Sequence, residues 1–213
     1  MDTKKEGYVI MRKRDQLIIY TVSLCILIIL FFTNQLLDTD ILIYNFISRF
    51  IKPNITKFFI VITELGDYIG VFIATIIILI YNHKYNTKRN TSLIILLVLC
   101  SLYVLISKNI FQRPRPDILQ LIDIDGFSFP SGHSTFSIAI YGYLIYLMSK
   151  DNNQWRKCII ITLLTLLIIC IGLSRIYLGV HYFSDVLAGF ISGLIILNLV
   201  LVIENRFIIR SDN

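Results

Sequence analysis

S-R-I-Y-L-G-V-H-Y-F-S-D, residues 174–185, lies between two Ile/Leu-rich runs, 158–173 and 186–203. Runs of that kind suit membrane-spanning helices, which need about 20 apolar residues at about 1.5 Å of rise each. An ionisable side chain at membrane depth is costly, so an arginine, a histidine and an aspartate set so close together need partners or a chemical task. His181 and Asp185 are four apart and share one face if the second half of the stretch opens a helix. A carboxylate so placed can hold one imidazole nitrogen and leave the other free as nucleophile or base. Arg175 can offer the planar fork that suits a phosphate. The plainer alternative is a structural ion pair tying two helix ends together.

Composition agrees with a membrane setting. The chain of 213 residues is 56% hydrophobic and 16% charged, against roughly a quarter charged in soluble domains. One compact bundle accounts for the length, residues 1–213 forming a single transmembrane domain. The net charge of +6 does not point to nucleic acid, because the basic residues sit in short runs between apolar segments, as topology signals do. Cys25, Cys100, Cys158 and Cys170 lie in or beside apolar runs without metal-ligand spacing and read as small buried hydrophobes. The basic N-terminus precedes a long apolar run without a small-residue cleavage site, which predicts a retained helix and not a signal peptide.

Six spans are expected in an all-α bundle. The first covers 17–37. Residues 38–57 read as an external connection, with 41–51 a candidate amphipathic segment in the interface. The second span covers 58–81 and carries Glu64 and Asp67 within the outer part of its helix. The third runs over 91–110, the fourth over 134–148 with a start at Gly132 or His133, the fifth over 158–173 and the sixth over 186–203. Trp155 is placed as an interfacial anchor. Most of the 20 Lys and Arg fall in the N-terminus, the 82–90 and 149–157 loops and the tail. The positive-inside rule therefore predicts both termini in the cytoplasm and 108–133 and 174–185 emerging together outside.

Two more polar clusters share that outer face. K-N-I-F-Q-R-P-R-P, residues 108–116, offers Lys108, Arg113 and Arg115, with prolines that stop the third helix. A lysine at a helix end often snorkels to headgroups, but several cations converging with two histidines suggest an anion site. P-S-G-H, residues 130–133, opens the fourth helix. Free backbone N–H groups at a helix start bind anions, Ser131 adds a hydroxyl and His133 stands over the anion, although Ser and Gly are also ordinary capping residues. Together the clusters form an inventory for phosphoryl chemistry without a metal. Cations neutralise the oxygens, one imidazole attacks in line and the other protonates the leaving oxygen.

The spacing resembles the three-part signature of the type 2 phosphatidic acid phosphatase superfamily: lysine, six residues, Arg115-Pro116; then Pro130-Ser131-Gly132-His133; then Ser174-Arg175, five residues, His181, three residues, Asp185. The similarity covers roughly 58–203 and includes T-E-L-G-D at 63–67. It implies a six-helix core with an extracytoplasmic site in the cell membrane. It also implies a metal-independent, cofactor-free phosphatase acting on a membrane lipid phosphate, with phosphatidylglycerophosphate and undecaprenyl diphosphate as candidates. By the same resemblance His181 is the nucleophile, Asp185 orients it, and His133 is the general acid and then the base. Lys108, Arg115, Ser131, Gly132 and Arg175 hold the phosphoryl oxygens, Arg115 being preferred to Arg113. The alternatives are a non-catalytic lipid-phosphate-binding membrane protein and a lipid phosphotransferase of the same superfamily. A vanadate-dependent haloperoxidase shares the anion constellation but is soluble.

Overall fold

The computed structural model describes residues 3–85, 87 and 89–208, which are mostly helical, with no strand among them. Lys88 and Arg210, counted above with the inner charges, lie outside the described residues. Eight helices follow in order: α1 Thr3–Phe32, α2 Leu37–Ser48, α3 Pro53–Glu64, α4 Tyr68–Tyr85, α5 Arg89–Phe111, α6 Gly132–Met148, α7 Gln154–Tyr177 and α8 Phe183–Ile203, the last running into a π turn at Glu204–Ile208. Among the described residues, four helical stretches are long and apolar enough to cross a membrane: Arg14–Phe32, Arg89–Phe111, Gln154–Tyr177 and Phe183–Arg206. A fifth is made by α3 and α4 together, which bend by 49° at their junction. At 17 residues α6 falls short of that length.

Three expectations change. The second span is not one helix, because the chain breaks at Leu65–Asp67 and starts again at Tyr68. Glu64 and Asp67 therefore flank a break and are not carried inside a continuous helix. The break packs closely against its neighbours: a Cβ on Gly66 would collide with Ile171 and would lie only 3.3 Å from the His133 ring. The connection over 38–57 is mostly helical, and α2 does not simply float in the interface, since Asp40 is 1% exposed and buried against the start of α8. Finally, Cys25 and Cys158 face outward, and only Cys100 is fully buried.

At the centre, α8 lies against α6. Gly189 and Gly193 permit this, since a Cβ on either would come within 2.6 Å and 2.7 Å of the Ser131 and Thr135 carbonyl oxygens. Small residues four apart let helix backbones approach in lipid, where packing replaces the hydrophobic drive. The core between these helices and α5 holds Cys100, Ile140, Tyr143, Leu147, Leu197 and Val200. Exposed Ile18, Ile80, Ile94 and Leu163 belong to an apolar exterior suited to acyl chains. At the end of α8 away from the motifs, buried Glu204 accepts from Tyr143 Oη at 2.7 Å and pairs with Arg89 at 3.2 Å.

Candidate active site

The three polar clusters meet at one end of the α6–α8 core. Pro114 and Pro116 keep α5 from continuing past Phe111, and the chain doubles back so that Ser128 N–H donates to the Arg113 carbonyl at 2.8 Å. Phe129 is fully buried and stacks on Phe31 at 4.9 Å between ring centroids, fixing this loop to α1. Ser131 caps α6, its Oγ accepting from Ser134 N at 3.4 Å. Between α7 and α8, Gly179 adopts φ 74°, where a side chain would strike the Leu119 carbonyl. That turn directs both Val180 N–H and His181 N–H to the Arg175 carbonyl, each at 3.2 Å.

A cavity of about 420 Å³ results, lined by Lys108, Arg115, Gly132, His133, Arg175 and His181, with Gly66 and Asp67 from the α3–α4 break. Asp123 and Asp125 stand on the loop side, while Val71, Val104 and Phe136 make an apolar wall. Arg175 is 1% exposed and donates to Thr63 Oγ1 at 2.7 Å, while its Nε has no protein partner. A buried guanidinium N–H without an acceptor is expensive, and an anion in the cavity would satisfy it. Arg115 is held by loop carbonyls, those of Gly126, Asp125 and Val180 at 3.0, 3.0 and 2.8 Å. Its Nη1 lies 3.4 Å from His181 Nε2.

His181 sits before the first turn of α8, and Asp185 is already helical. Asp185 Oδ2 accepts from the Tyr182 N–H at 2.9 Å, which turns the carboxylate back toward the imidazole. His181 Nδ1 is 3.4 Å from that oxygen, close enough to feel its charge though longer than a formed hydrogen bond. Burial first, and then the Arg175, Arg115 and Lys108 cations, hold the His181 imidazole well below its ordinary value. It is therefore neutral near pH 7, with a lone pair on Nε2 available for attack. His133 Nε2 lies 3.9 Å from Asp67 Oδ1.

Not every expected ligand reaches the cavity. Ser131 is fully buried, and its hydroxyl is occupied at the start of α6, where Ser134 Oγ lies 3.1 Å away. Gly132 is what this turn contributes to the cavity wall. Arg113 points away from the cavity, into a buried cluster with Asp185, Ser184 and Asp40. Sequence reasoning passed over Asp40. The signal was a carboxylate in an apolar segment, which in lipid asks for a buried partner.

Residues 89–209 match the model of the PAP2 superfamily, and the chain belongs to that superfamily. Phosphatidylglycerophosphatase B of Bacillus subtilis is 31% identical over 145 residues, covering 65% of this chain and 70% of that one. Dolichyldiphosphatase of Saccharomyces cerevisiae is 35% identical over 98 residues, 40% of this chain and 39% of its own length. The crystal structure of a transmembrane PAP2 type phosphatidylglycerolphosphate phosphatase from Bacillus subtilis aligns with a TM-score of 0.81 at 26% identity, covering 90% of this chain and 97% of that one. The protein is thus a multi-pass membrane enzyme, a lipid phosphatase.

Proposed function

We propose that the enzyme hydrolyses a lipid phosphate or diphosphate at the outer face of the cytoplasmic membrane through a phosphohistidine on His181. The observation that carries this reading is the convergence of Lys108, Arg115, Arg175, His133 and neutral His181 on one cavity with an apolar wall. His181 Nε2 attacks phosphorus in line, the P–N bond forms and the P–O bond to the leaving group breaks. His133 gives its proton to the departing oxygen and then takes one from a water, whose oxygen attacks the phosphohistidine. Inorganic phosphate leaves, and His181 is regenerated. The three cations neutralise the charge on the equatorial oxygens. Phosphatidylglycerophosphate and undecaprenyl diphosphate are the candidate substrates. The similarity to a phosphatidylglycerophosphatase supports the first and that to a dolichyldiphosphatase the second.

The test is phosphate release from a panel containing both lipids, with the detergent-solubilised protein and its His181→Ala variant as the blank. Release from neither lipid would end the proposal. Because cavity cations already neutralise the phosphoryl oxygens, turnover is expected to continue undiminished in EDTA. Activity abolished by chelation and restored by Mg2+ would refute the metal-free route.

Sidedness has its own test. In a background without the native cysteines, a cysteine placed at Asp123 or Asp125 is expected to react with a membrane-impermeant thiol reagent in intact cells. One placed at Thr87 is expected to react only after lysis. The basic loops support this orientation and six passes, and the reverse labelling pattern would put the site in the cytoplasm.

A further inference from the structure

Behind His181, on the side away from the cavity, four side chains from three segments form a closed polar cluster. Arg113 donates to Asp185 Oδ1 at 2.5 Å, to Ser184 Oγ at 2.7 Å and to Asp40 Oδ2 at 2.8 Å. Its guanidinium carbon lies 3.9 Å from the centre of the Tyr182 ring. Asp40 accepts from the Ser184 N–H at 2.8 Å and from the Ser184 hydroxyl at 2.6 Å. Asp40 and Asp185 are 1% and 0% exposed. Asp40 also lies on α2, outside the 89–209 region that the superfamily model matches.

The charges decide what such a cluster does. Arg113 and Asp185 alone make a neutral pair, with the carboxylate's charge drawn toward the guanidinium and away from the imidazole. A second carboxylate on the same guanidinium leaves the cluster one negative charge in excess, in a setting where little water screens it. His181 needs that excess, because attack through Nε2 places positive charge on the ring while Lys108 of α5, Arg115 of the following loop and Arg175 of α7 already oppose it. His133 of α6, Asp67 of the α3–α4 break and Asp123 and Asp125 of the loop after α5 face the same cavity, and Asp185 of α8 supplies the direct carboxylate contact.

We propose that Asp40 is a positioning residue for His181: acting through Arg113 and Ser184, it keeps Asp185 aimed and the cluster behind the imidazole net negative. This inference rests on His181 being the nucleophile, and its test separates the two ideas. Asp40→Asn keeps the shape and removes the charge. It is expected to lower kcat roughly ten- to hundred-fold, the scale on which partners behind a functional histidine act, with KM little changed. The acidic limb of the kcat/KM profile, where His181 gains its proton, is expected to move down by about one pH unit as negative charge is lost. Arg113→Gln makes the cluster more negative and is expected to move the same limb up. The double variant, which returns the cluster to one net negative charge while abolishing every Asp40–Arg113 contact, is expected to bring the limb back toward that of the native enzyme.

If Asp40 merely anchored α2, the double variant would be at least as impaired as either single one and the limbs would not shift in opposite directions. That result overturns the inference, as does a native profile for Asp40→Asn. Should Asp40→Asn fail to fold in a thermal melt, Arg113→Gln decides alone, and a limb that stays in place or falls refutes the proposal. A native enzyme that hydrolyses lipid as fast as its His181→Ala variant would instead bring down the nucleophile assignment beneath it.

Discussion

His181→Ala is expected to reduce lipid phosphate release by a factor on the order of 10⁴ or more, the scale seen when a covalent nucleophile is removed from an intact site. The cavity offers no substitute: its lining residues include no cysteine, serine, threonine or tyrosine, and His133 is the only other imidazole among them. Water cannot take over the role efficiently, because Asp185 and Arg115 are arranged around the imidazole ring. The native enzyme, quenched during turnover at alkaline pH and digested, is expected to carry a phosphoryl adduct on the peptide containing residue 181. The variant is expected to carry none while keeping its native thermal midpoint to within a few degrees. Residual activity within tenfold of native, or an adduct on the peptide containing His133, would reverse the two imidazole roles.

The residues that line the candidate site stand out in the sequence, and the reason is the solvent. In lipid a lysine, arginine or histidine cannot be scattered freely, so those that interrupt apolar runs mark either an anchor or a site. Lys108, Arg115, His133, Arg175 and His181 stand out for that reason, and the structure brings all five to one cavity. The choice between the two Arg-Pro registers has a simple cause in the fold. Residues 112–116 are not helical, and in this loop the two arginines are drawn to different partners, Arg113 to the Asp40 and Asp185 carboxylates and Arg115 to the Asp125, Gly126 and Val180 carbonyls. Arg115 enters the cavity and Arg113 enters the cluster behind it.

What escaped the sequence depends on partners far along the chain. The close approach at Gly66, where a side chain would meet His133 and Ile171, involves residues that periodicity over 58–81 cannot report. Asp40 acquires meaning only when α2 folds onto α8, more than a hundred residues later, where Ser184 and Arg113 meet it. Ser131 looked like a ligand because a hydroxyl at a helix start can serve an anion or the helix itself. Here the helix has it, leaving Gly132 and the cations to face the cavity. Gly189 and Gly193 likewise take their meaning from a distant partner, the α6 backbone they let α8 approach.

His133 carries the second large effect, and the leaving group exposes it. In a lipid phosphomonoester the departing alkoxide is a strong base and needs a proton as the P–O bond breaks, a service worth roughly 10²- to 10⁴-fold. An aryl phosphate with a nitro-substituted ring leaves as a stable phenolate and needs little help. His133→Gln, which keeps a polar side chain on the first turn of α6, is therefore expected to lower kcat/KM for the lipid by roughly 10²-fold or more, within the range for general acid help. For the aryl phosphate the loss is expected to stay below about tenfold. The comparison is made on kcat/KM because that ratio covers the steps through departure of the leaving group. It excludes the later hydrolysis of the phosphohistidine, in which His133 acts as base for both substrates alike. Equal losses on the two substrates would show that His133 only binds phosphate, and proton delivery would then have to come from another cavity group, with Asp67, 3.9 Å from the His133 ring, next in line.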